Sequence, residues 1–411
     1  MKKIIFAFLF FSIQSFGQRN EIFDSNIASL RVIAGDNWQG MPVINLNDEE
    51  INISFDELSH EYHRYKYTVQ HYEHDWKPSE SLFPSDYLSG FYDDNTIDDY
   101  SESVGTYQQY THYSINLPND RCKIKMSGNY KLSVIDDNTQ KIVLEACFMV
   151  NEGISPIMLG VTTNTDMGIN DRFQQVNMQI LYGNINVTSP DEQLKTVVLQ
   201  NQRWDSAIFN PDAQFKMRDG LKWEHNKNLI FAGGTEYHKF ETLNPSHTTL
   251  GIATIGWDKE LSQWHAYLYP DIPAISYTYD VDANGSYLIR NSDNFDNDIS
   301  CDYILTHFEL HSPKQSGKVY INGVWTSDRF TSQYEMDWND EKNIYEKSIL
   351  LKQGYYSYRY LLMNSNGELQ SIIPEGDFFE TENTYQALLY FKGPTDRAER
   401  LVGFTSFSSK N

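Results

Sequence analysis

Apolar and polar residues alternate with a period of two through most of the chain. This alternation predicts half-buried β-strands, because successive side chains of a strand point to opposite faces of a sheet. The alternating apolar positions are Ile51, Ile53 and Phe55; Tyr65, Tyr67 and Val69; Val176, Met178, Ile180 and Tyr182; Ile275, Tyr277 and Tyr279; Ile349 and Leu351; and Tyr356, Tyr358, Tyr360 and Leu362. No long segment has the 3.6-residue apolar period of an amphipathic helix, so the pattern predicts an all-β protein.

Turn signals separate these predicted strands. Residues 78–105 lack strand spacing and are predicted to be loop-rich, with short helical turns. Many short antiparallel strands joined by hairpins favour tandem immunoglobulin-like or fibronectin-like β-sandwiches over a parallel α/β sheet. The turn signals are Gly128-Asn129, Asp136-Asp137-Asn138, and the three type I′ hairpin dipeptides Asn284-Gly285, Asn322-Gly323 and Asn366-Gly367.

Two breaks divide the chain into three predicted domains. One lies near Glu152-Gly153, where a strand ends before Pro156, and the other lies near Ser300, after a polar run at 291–298. The predicted domains are an N-terminal sandwich at 18–152, a middle β-rich domain at 153–300 and a C-terminal immunoglobulin-like domain at 301–411. No fixed-period repeat is visible, which disfavours a propeller or a solenoid.

The first residues have the features of a signal peptide. Lys2 and Lys3 precede an apolar run from Ile4 to Ile13, and Ser15-Phe16-Gly17 is a small-x-small cleavage site. The run is shorter than the roughly 20 residues of a membrane-spanning helix, and no later stretch is long and apolar enough to span. We therefore predict export, cleavage after residue 17 and no direct membrane insertion; an uncleaved anchor is the alternative.

The charge balance narrows the class of partner. The chain has 33 Lys and Arg against 56 Asp and Glu, a formal net charge of −23. Nucleic acid is disfavoured as a partner because phosphate binding needs a basic surface, and an anionic membrane is disfavoured for the same reason. The acidity by itself mainly indicates solubility and self-repulsion, and it could also steer a basic partner.

The three cysteines form no metal or redox motif. Cys122, Cys147 and Cys301 have no CxxC spacing, so neither a zinc site nor a thiol redox site is predicted. A disulfide between Cys122 and Cys147 in an oxidising compartment and a pair of free or buried thiols both remain open.

Two segments raise the question of a metal site. His60, His63, His71 and His74 are close in sequence, but His63 and His71 would stand about 26 Å apart on one strand, too far for one ion. The segment Asp280 to Gly285 matches the first half of a calcium loop, yet the twelfth position is Asn291 and both flanks are strand-like. We therefore predict structural histidines and a hairpin turn.

Nothing in the sequence points to catalysis. The chain lacks GxSxG, HExxH and P-loop motifs, so no catalytic residue, cofactor or metal is assigned and a non-enzymatic protein is expected. Aromatic residues make up 14% of the chain, which fits sheet packing and also protein or sugar interfaces. The acidic clusters are expected by chance among 56 acids: Asp93-Asp94 with Asp98-Asp99, and Asp293 with Asp296 and Asp298.

Several motifs in order resemble the type IX secretion system plug protein family. They cover nearly the whole predicted mature chain. The motifs are Tyr72 to Ser79, Tyr87 to Phe91, Ile97 to Ser101, Tyr110 to Tyr113, Ser127 to Leu132, Leu199 to Asn201, Arg203 to Asp205, Phe231 to Tyr237, Tyr287 to Arg290, Val319 to Gly323 and Thr381 to Tyr385.

The resemblance implies a periplasmic, β-rich protein of Bacteroidetes-type bacteria. Such a protein would close the periplasmic mouth of the giant outer-membrane translocon barrel SprA (Sov), and the family brings no catalytic residues with it. One departure is Tyr72-Glu73-His74, where the family is expected to have a histidine followed by Cys or Asn before Asp75-Trp76. The departure leaves the role of His74 open.

The alternative function is carbohydrate binding. Val319 to Trp325, followed by Trp338, also resembles the glycogen-binding, immunoglobulin-like modules of starch enzymes, in which exposed tryptophan faces stack on sugar rings. A sandwich-core role for Trp325 is favoured over the sugar-binding role.

Overall fold

The computed structural model describes residues 19–409, and the predicted signal peptide at 1–17 lies outside this range. Nearly all of its regular structure is β-sheet, which confirms the all-β prediction. Within residues 19–409, no helix is long and apolar enough to cross a membrane. The short helices are α1 (Pro84–Tyr87), α2 (Pro190–Gln193) and α3 (Asn297–Ser300), with 3₁₀ turns at Lys227–Leu229 and Val324–Thr326.

The first twelve strands form the N-terminal sandwich. One sheet has the order β1-β12-β11-β5-β7, with β3 parallel to β12, and the facing sheet has the order β2-β4-β9-β8. Phe55 and Tyr113 from one sheet meet Tyr130 and Phe148 from the other in a buried core. The strands are β1 (Glu21–Ile22), β2 (Ile27–Ala34), β3 (Val43–Asn45), β4 (Ile51–Glu57), β5 (Tyr65–Tyr72), β6 (Leu88–Gly90), β7 (Asn95–Thr96), β8 (Asp99–Glu102), β9 (Thr111–Leu117), β10 (Cys122–Ile124), β11 (Gly128–Asp136) and β12 (Ile142–Asn151).

The next nine strands begin the central sandwich. Its first sheet has the order β13-β16-β20-β19, with β21 also pairing with β16. The strands are β13 (Ile157–Thr162), β14 (Asn164–Thr165), β15 (Gly168–Ile169), β16 (Phe173–Leu181), β17 (Leu194–Gln200), β18 (Ile208–Phe209), β19 (Phe215–Lys216), β20 (Gly220–Trp223) and β21 (Ile230–Ala232).

The following ten strands form the inserted sandwich. One sheet has the order β22-β30-β25, with β27 and β31 also on β30, and the other has the order β23-β24-β26-β29-β28. The strands are β22 (His238–Glu241), β23 (Ile252–Asp258), β24 (Gln263–Leu268), β25 (Tyr287–Ile289), β26 (Tyr303–Leu310), β27 (Lys318–Asn322), β28 (Asp337–Asn339), β29 (Ile344–Lys352), β30 (Gly354–Met363) and β31 (Leu369–Ser371).

The last two strands return to the central sandwich. β32 (Thr384–Phe391) pairs with β17 and β33 (Arg400–Ser408) pairs with β32, giving a sheet of order β18-β17-β32-β33 that we call the shared sheet. The strand pairing therefore does not follow the predicted boundary near residue 300. Strands from 153–300 and 301–411 pair with one another in the shared sheet and in both sheets of the inserted sandwich.

The two central strands of the shared sheet, β17 and β32, are buried on both faces. Val198 and Leu389 pack toward the first sheet of the central sandwich. Val197 and Leu388 pack toward the N-terminal sandwich, where they meet Met149 of β12. Four sheets are thus stacked in succession, and the two central strands of the shared sheet, β17 and β32, have apolar runs because both of their faces are covered.

Four sequence predictions fail locally. Residues 275–279 do not form a strand. Ile275 and Tyr279 face outward, and in the described segment between β24 and β25 the only strand-like pairing is an isolated bridge at Asp271. Asn284 and Gly285 have the positive φ angles of a type I′ turn, 48° and 89°, but the turn leads into β25 without joining a hairpin.

The other two Asn-Gly pairs also differ from type I′ hairpin turns. Gly323 is extended and precedes a 3₁₀ turn; a Cβ there would lie 2.5 Å from the indole nitrogen of Trp325, so close packing explains the glycine. Gly367 does turn the β30–β31 hairpin, but it alone of the pair has a positive φ, 81°.

Candidate interaction surface

The four histidines of the predicted group have separate partners. No group of three or more His, Cys, Asp or Glu suited to a metal ion is found among residues 19–409. The contacts are His60 Nε2 to Ser103 Oγ at 2.9 Å, His63 Nδ1 to Glu57 Oε1 at 3.4 Å, His71 Nδ1 to Ser79 Oγ at 2.8 Å and His74 Nδ1 to Glu399 Oε2 at 2.8 Å.

His71 has a structural role in the N-terminal sandwich. Its Nε2 lies 3.0 Å from the carbonyl oxygen of Ser127, and burial lowers the pKa of the imidazole to about 4. The next residue, Gly128, has a φ of 143°, and a Cβ at that position would lie 2.1 Å from His71 Nε2. The neutral ring therefore fills a space that the glycine leaves open.

The carboxylates of the predicted calcium loop bind protein donors. Asp280 pairs with the ammonium of Lys239 at 2.6 Å. The carboxylate of Asp282 accepts the backbone N–H groups of Tyr237 and Asn284, and burial raises its pKa to about 6.

Acidic residues from both predicted clusters form ion pairs with separate basic residues. The pairs are Asp94 with Lys66, Asp98 with Arg121, and Asp298 with Arg31.

Trp325 is held by the core of the inserted sandwich. Its indole N–H donates to the carbonyl of Ser357 at 3.0 Å, and its ring meets those of Tyr356 and Tyr334 edge-on. Trp338 donates its indole N–H to Asp340 at 2.7 Å and packs against Tyr345. The two rings therefore make separate local contacts within the inserted sandwich.

Cys122 and Cys147 are free and buried in different places. Cys122 lies in the core of the N-terminal sandwich, whereas Cys147 lies on the opposite face of β12 against the shared sheet. Burial raises the pKa of Cys122 to about 11 and that of Cys147 to about 12, so both are thiols at neutral pH.

A buried ion pair joins the N-terminal and inserted sandwiches. Asp56 of β4 and Lys352 of β29, 0% and 1% exposed, lie 2.5 Å apart. The Asp56 carboxylate also contacts His112 Nδ1 at 2.6 Å and accepts the Tyr303 hydroxyl at 2.7 Å, while the ammonium sits 4.1 Å from the ring centre of Tyr110. Burial opposes both charges, but Lys352 and His112 hold the pKa of Asp56 below its usual value.

A second joint connects all three sandwiches through Trp204. Its indole meets that of Trp76 edge-on at 5.6 Å, which ties the shared sheet to the N-terminal sandwich. Its backbone N–H donates to Asp328 of the inserted sandwich at 3.1 Å. Beside it, Arg203 makes a two-pronged contact with Asp205, with N···O distances of 3.1 and 2.5 Å.

A third joint fixes the two segments that cross between the central and inserted sandwiches. The amide of Asn383 donates to the carbonyl of Gly233 at 2.8 Å and accepts from the Asn201 amide at 2.7 Å. The hydroxyl of Thr381 donates to the carbonyl of Gly234 at 2.9 Å. The crossing segments are therefore bonded to each other and to the central sandwich.

An irregular segment at 269–282, which we call the strap, connects β24 to β25 across the inserted sandwich. The carboxylate of Asp271 points inward and accepts the hydroxyls of Tyr358 and Tyr360, each at 2.7 Å, and pairs with His238 at 2.9 Å. Five apolar side chains of the strap are 56% to 76% exposed: Tyr269, Ile272, Ile275, Tyr279 and Val281.

A recess of about 380 Å³ opens beside the strap. Tyr269 and Tyr277 of the strap line it together with Leu250, Phe378 and Glu236. The carboxylate of Glu236 accepts the Tyr277 hydroxyl at 2.8 Å, and burial raises its pKa to about 7.

Comparison with known proteins identifies the family. A family model described as "Type 9 secretion system plug protein 1st domain" matches residues 27–152. A crystal structure of a hypothetical protein from Parabacteroides merdae is 34% identical, over 95% of this chain and 99% of that chain, with a TM-score of 0.91. The chain belongs to the type 9 secretion system plug protein family.

Other comparisons add nothing about this plug-family protein. The C-terminal domain of the Streptococcus pyogenes protein AspA aligns at 6% identity over 92% of this chain and 98% of that chain. Its TM-score of 0.18 is too low to indicate a shared fold. No curated protein matches the sequence.

Two of the joints lie in motifs that carried the sequence resemblance, outside the matched residues 27–152. Arg203 to Asp205 form the junction of the three sandwiches, and Thr381 to Asn383 hold the crossing segments. Sequence reasoning did not predict the Asp56–Lys352 pair or the strap. The sequence signal for the strap is the pair Pro270 and Pro273, because proline disfavours a strand interior.

Proposed function

We propose that this protein is a non-enzymatic plug that occupies the periplasmic opening of the outer-membrane barrel SprA (Sov) and keeps the channel closed. The observation that carries the proposal is the family match over residues 27–152. Membership of the family links the chain to type 9 secretion. The finer claim, occlusion of that particular barrel, is our proposal.

The joints between the sandwiches support a sealing role. A plug holds an opening closed only if its parts keep their relative positions. Here a buried ion pair, a tryptophan contact and a set of buried hydrogen bonds from side-chain amides connect the three sandwiches. Buried polar contacts of this kind fix geometry, because separating them leaves unpaired polar groups.

We further propose that the protein is exported to the periplasm of Bacteroidetes-type cells after removal of residues 1–17. It would reach the outer membrane through its barrel partner, without inserting into the bilayer itself. Its formal net charge of −23 supports a protein partner over an anionic membrane surface.

Affinity purification from the native envelope tests the proposal. The tagged protein should retain SprA (Sov), and deletion of its gene should make cells sensitive to large antibiotics that the outer membrane normally excludes. Absence of the barrel from the purified material would contradict the plug function. In that case, glycan-array binding that is lost in Trp325→Ala would support the carbohydrate alternative.

A further inference from the structure

In most surface loops the charged side chains face solvent and the apolar ones face the protein, whereas the strap has the opposite arrangement. Its aspartates Asp271 and Asp280 contact the body of the inserted sandwich. Its apolar residues, including Ile272 at 68% and Ile275 at 76% exposed, face away from the body. Clustered exposure of large apolar side chains is uncommon on soluble monomers and marks interaction sites.

The apolar surface continues beyond the strap itself. Leu250, 48% exposed, lines the same recess as Tyr269. Hydrogen bonds hold the strap at several points, including the N–H of Gly376 to the carbonyl of Ala274 at 2.9 Å. The apolar side chains are therefore presented by backbone that is fixed before a partner arrives, which lowers the entropy lost on binding.

The recess gives the surface a charge preference. Glu236 receives the Tyr277 hydroxyl and the backbone N–H of Glu382, and among residues 19–409 no Lys, Arg or His forms an ion pair with it. Tyr277 and Phe378 supply aromatic walls. A carboxylate that shares a recess with aromatic rings is suited to a lysine or arginine side chain, which gains an ion pair and a cation–π contact.

We propose that the strap and the adjoining recess form the surface by which this protein docks on a protein partner, one with an apolar centre and a lysine or arginine that enters the recess. This inference rests on the proposed function, in which the partner is the translocon barrel. A membrane is the less suitable occupant, because a chain with a net charge of −23 is repelled by anionic headgroups.

Two sets of variants of the full-length protein test the surface. Ile272→Asp combined with Ile275→Asp places charge at the apolar centre, and Glu236→Gln removes the carboxylate while keeping an acceptor for Tyr277. The matched control is Phe91→Asp, since Phe91 is 67% exposed on the N-terminal sandwich. All variants should unfold at the wild-type denaturant concentration, because each changed group is exposed or conservatively replaced.

The readout is the amount of SprA (Sov) that co-purifies with each tagged protein from the native envelope. We expect a loss of about tenfold or more for the double variant, a smaller loss for Glu236→Gln, and wild-type recovery for Phe91→Asp. Wild-type recovery for both strap and recess variants would overturn the docking surface and leave the plug function intact. Failure of the wild-type protein to retain the barrel would overturn both.

Two control measurements separate the other occupants. In the first, the protein is floated with phosphatidylethanolamine and phosphatidylglycerol vesicles. If the wild-type protein floats and the double variant does not, the surface binds a membrane and the proposal is overturned. A wild-type dimer in sedimentation that the double variant converts to monomer would overturn it in favour of a second copy of this chain. A monomer that does not float supports the proposal.

Discussion

Lys352 joins the N-terminal and inserted sandwiches. Its ammonium is the cation that compensates the buried Asp56 carboxylate between two sandwiches. Such a pair adds little stability compared with apolar residues of the same size, but removal of one partner leaves an unpaired buried charge. Its value to the protein is to fix how β4 and β29 meet.

We expect Lys352→Met to lower the free energy of unfolding by about 3–5 kcal/mol, because Asp56 stays buried without its main cation. Denaturant unfolding followed by tryptophan fluorescence measures this. The matched control is Lys342→Met, whose partner Glu346 is at the surface, and its loss should stay within about 1 kcal/mol. Equal losses for the two variants would show that the buried pair has no special role.

His71 makes stability depend on pH in a defined window. The unfolded chain takes up a proton on this imidazole near pH 6.5, whereas burial keeps the folded imidazole neutral until about pH 4. Stability should therefore fall as the pH falls from 6.5 to 4, by about 3 kcal/mol from this group. Unfolding curves of wild type and His71→Gln over this range measure the difference, and parallel pH dependences would contradict it.

At the scale of elements, alternation predicted the strands whose apolar side chains recur at every second position. β4, β5, β16, β29 and β30 are all found where period-two spacing places them. The shared sheet was not predicted, because β17 and β32 contact apolar layers on both faces and so have continuous apolar runs. Such runs carry no period, and only their length and turn residues distinguish them from buried helix.

The insertion could not be predicted from the pattern either. Period-two spacing reports which side chains are buried, but it does not report which distant strand supplies the partner. The pairing of Val197 with Leu388 spans the whole inserted sandwich. We propose that the domains are 19–152, 153–235 together with 381–409, and 236–380, in place of a boundary near residue 300.

Neighbouring leucines of β32 test the burial of both faces. Leu388 packs against the N-terminal sandwich, and Leu389 packs against the first sheet of the central sandwich. Both are 0% exposed. Each change to alanine should cost about 2–5 kcal/mol of unfolding free energy. Ile142→Ala, at a 44% exposed position of β12, is the control and should cost about 1 kcal/mol or less. A small loss at Leu388 would contradict the four-sheet stack.

At the scale of the whole molecule, the joints determine whether the three sandwiches move as one body. Asn383→Ala removes the amide that bonds Gly233 and Asn201, and each group left unpaired costs about 1–3 kcal/mol. Limited proteolysis should then cleave residues 376–383 faster than in the wild type. Asn366→Ala, at an exposed hairpin turn, is the control and should leave cleavage unchanged; equal rates for all three proteins would contradict the locked joint.

The central claim is that this protein closes a translocon channel. The most direct measurement is the conductance of purified SprA (Sov) in a planar bilayer before and after this protein is added on the periplasmic side. We predict that conductance falls as the protein binds and recovers when it is washed away or competed off. Unchanged conductance at a protein concentration that saturates binding would contradict the claim.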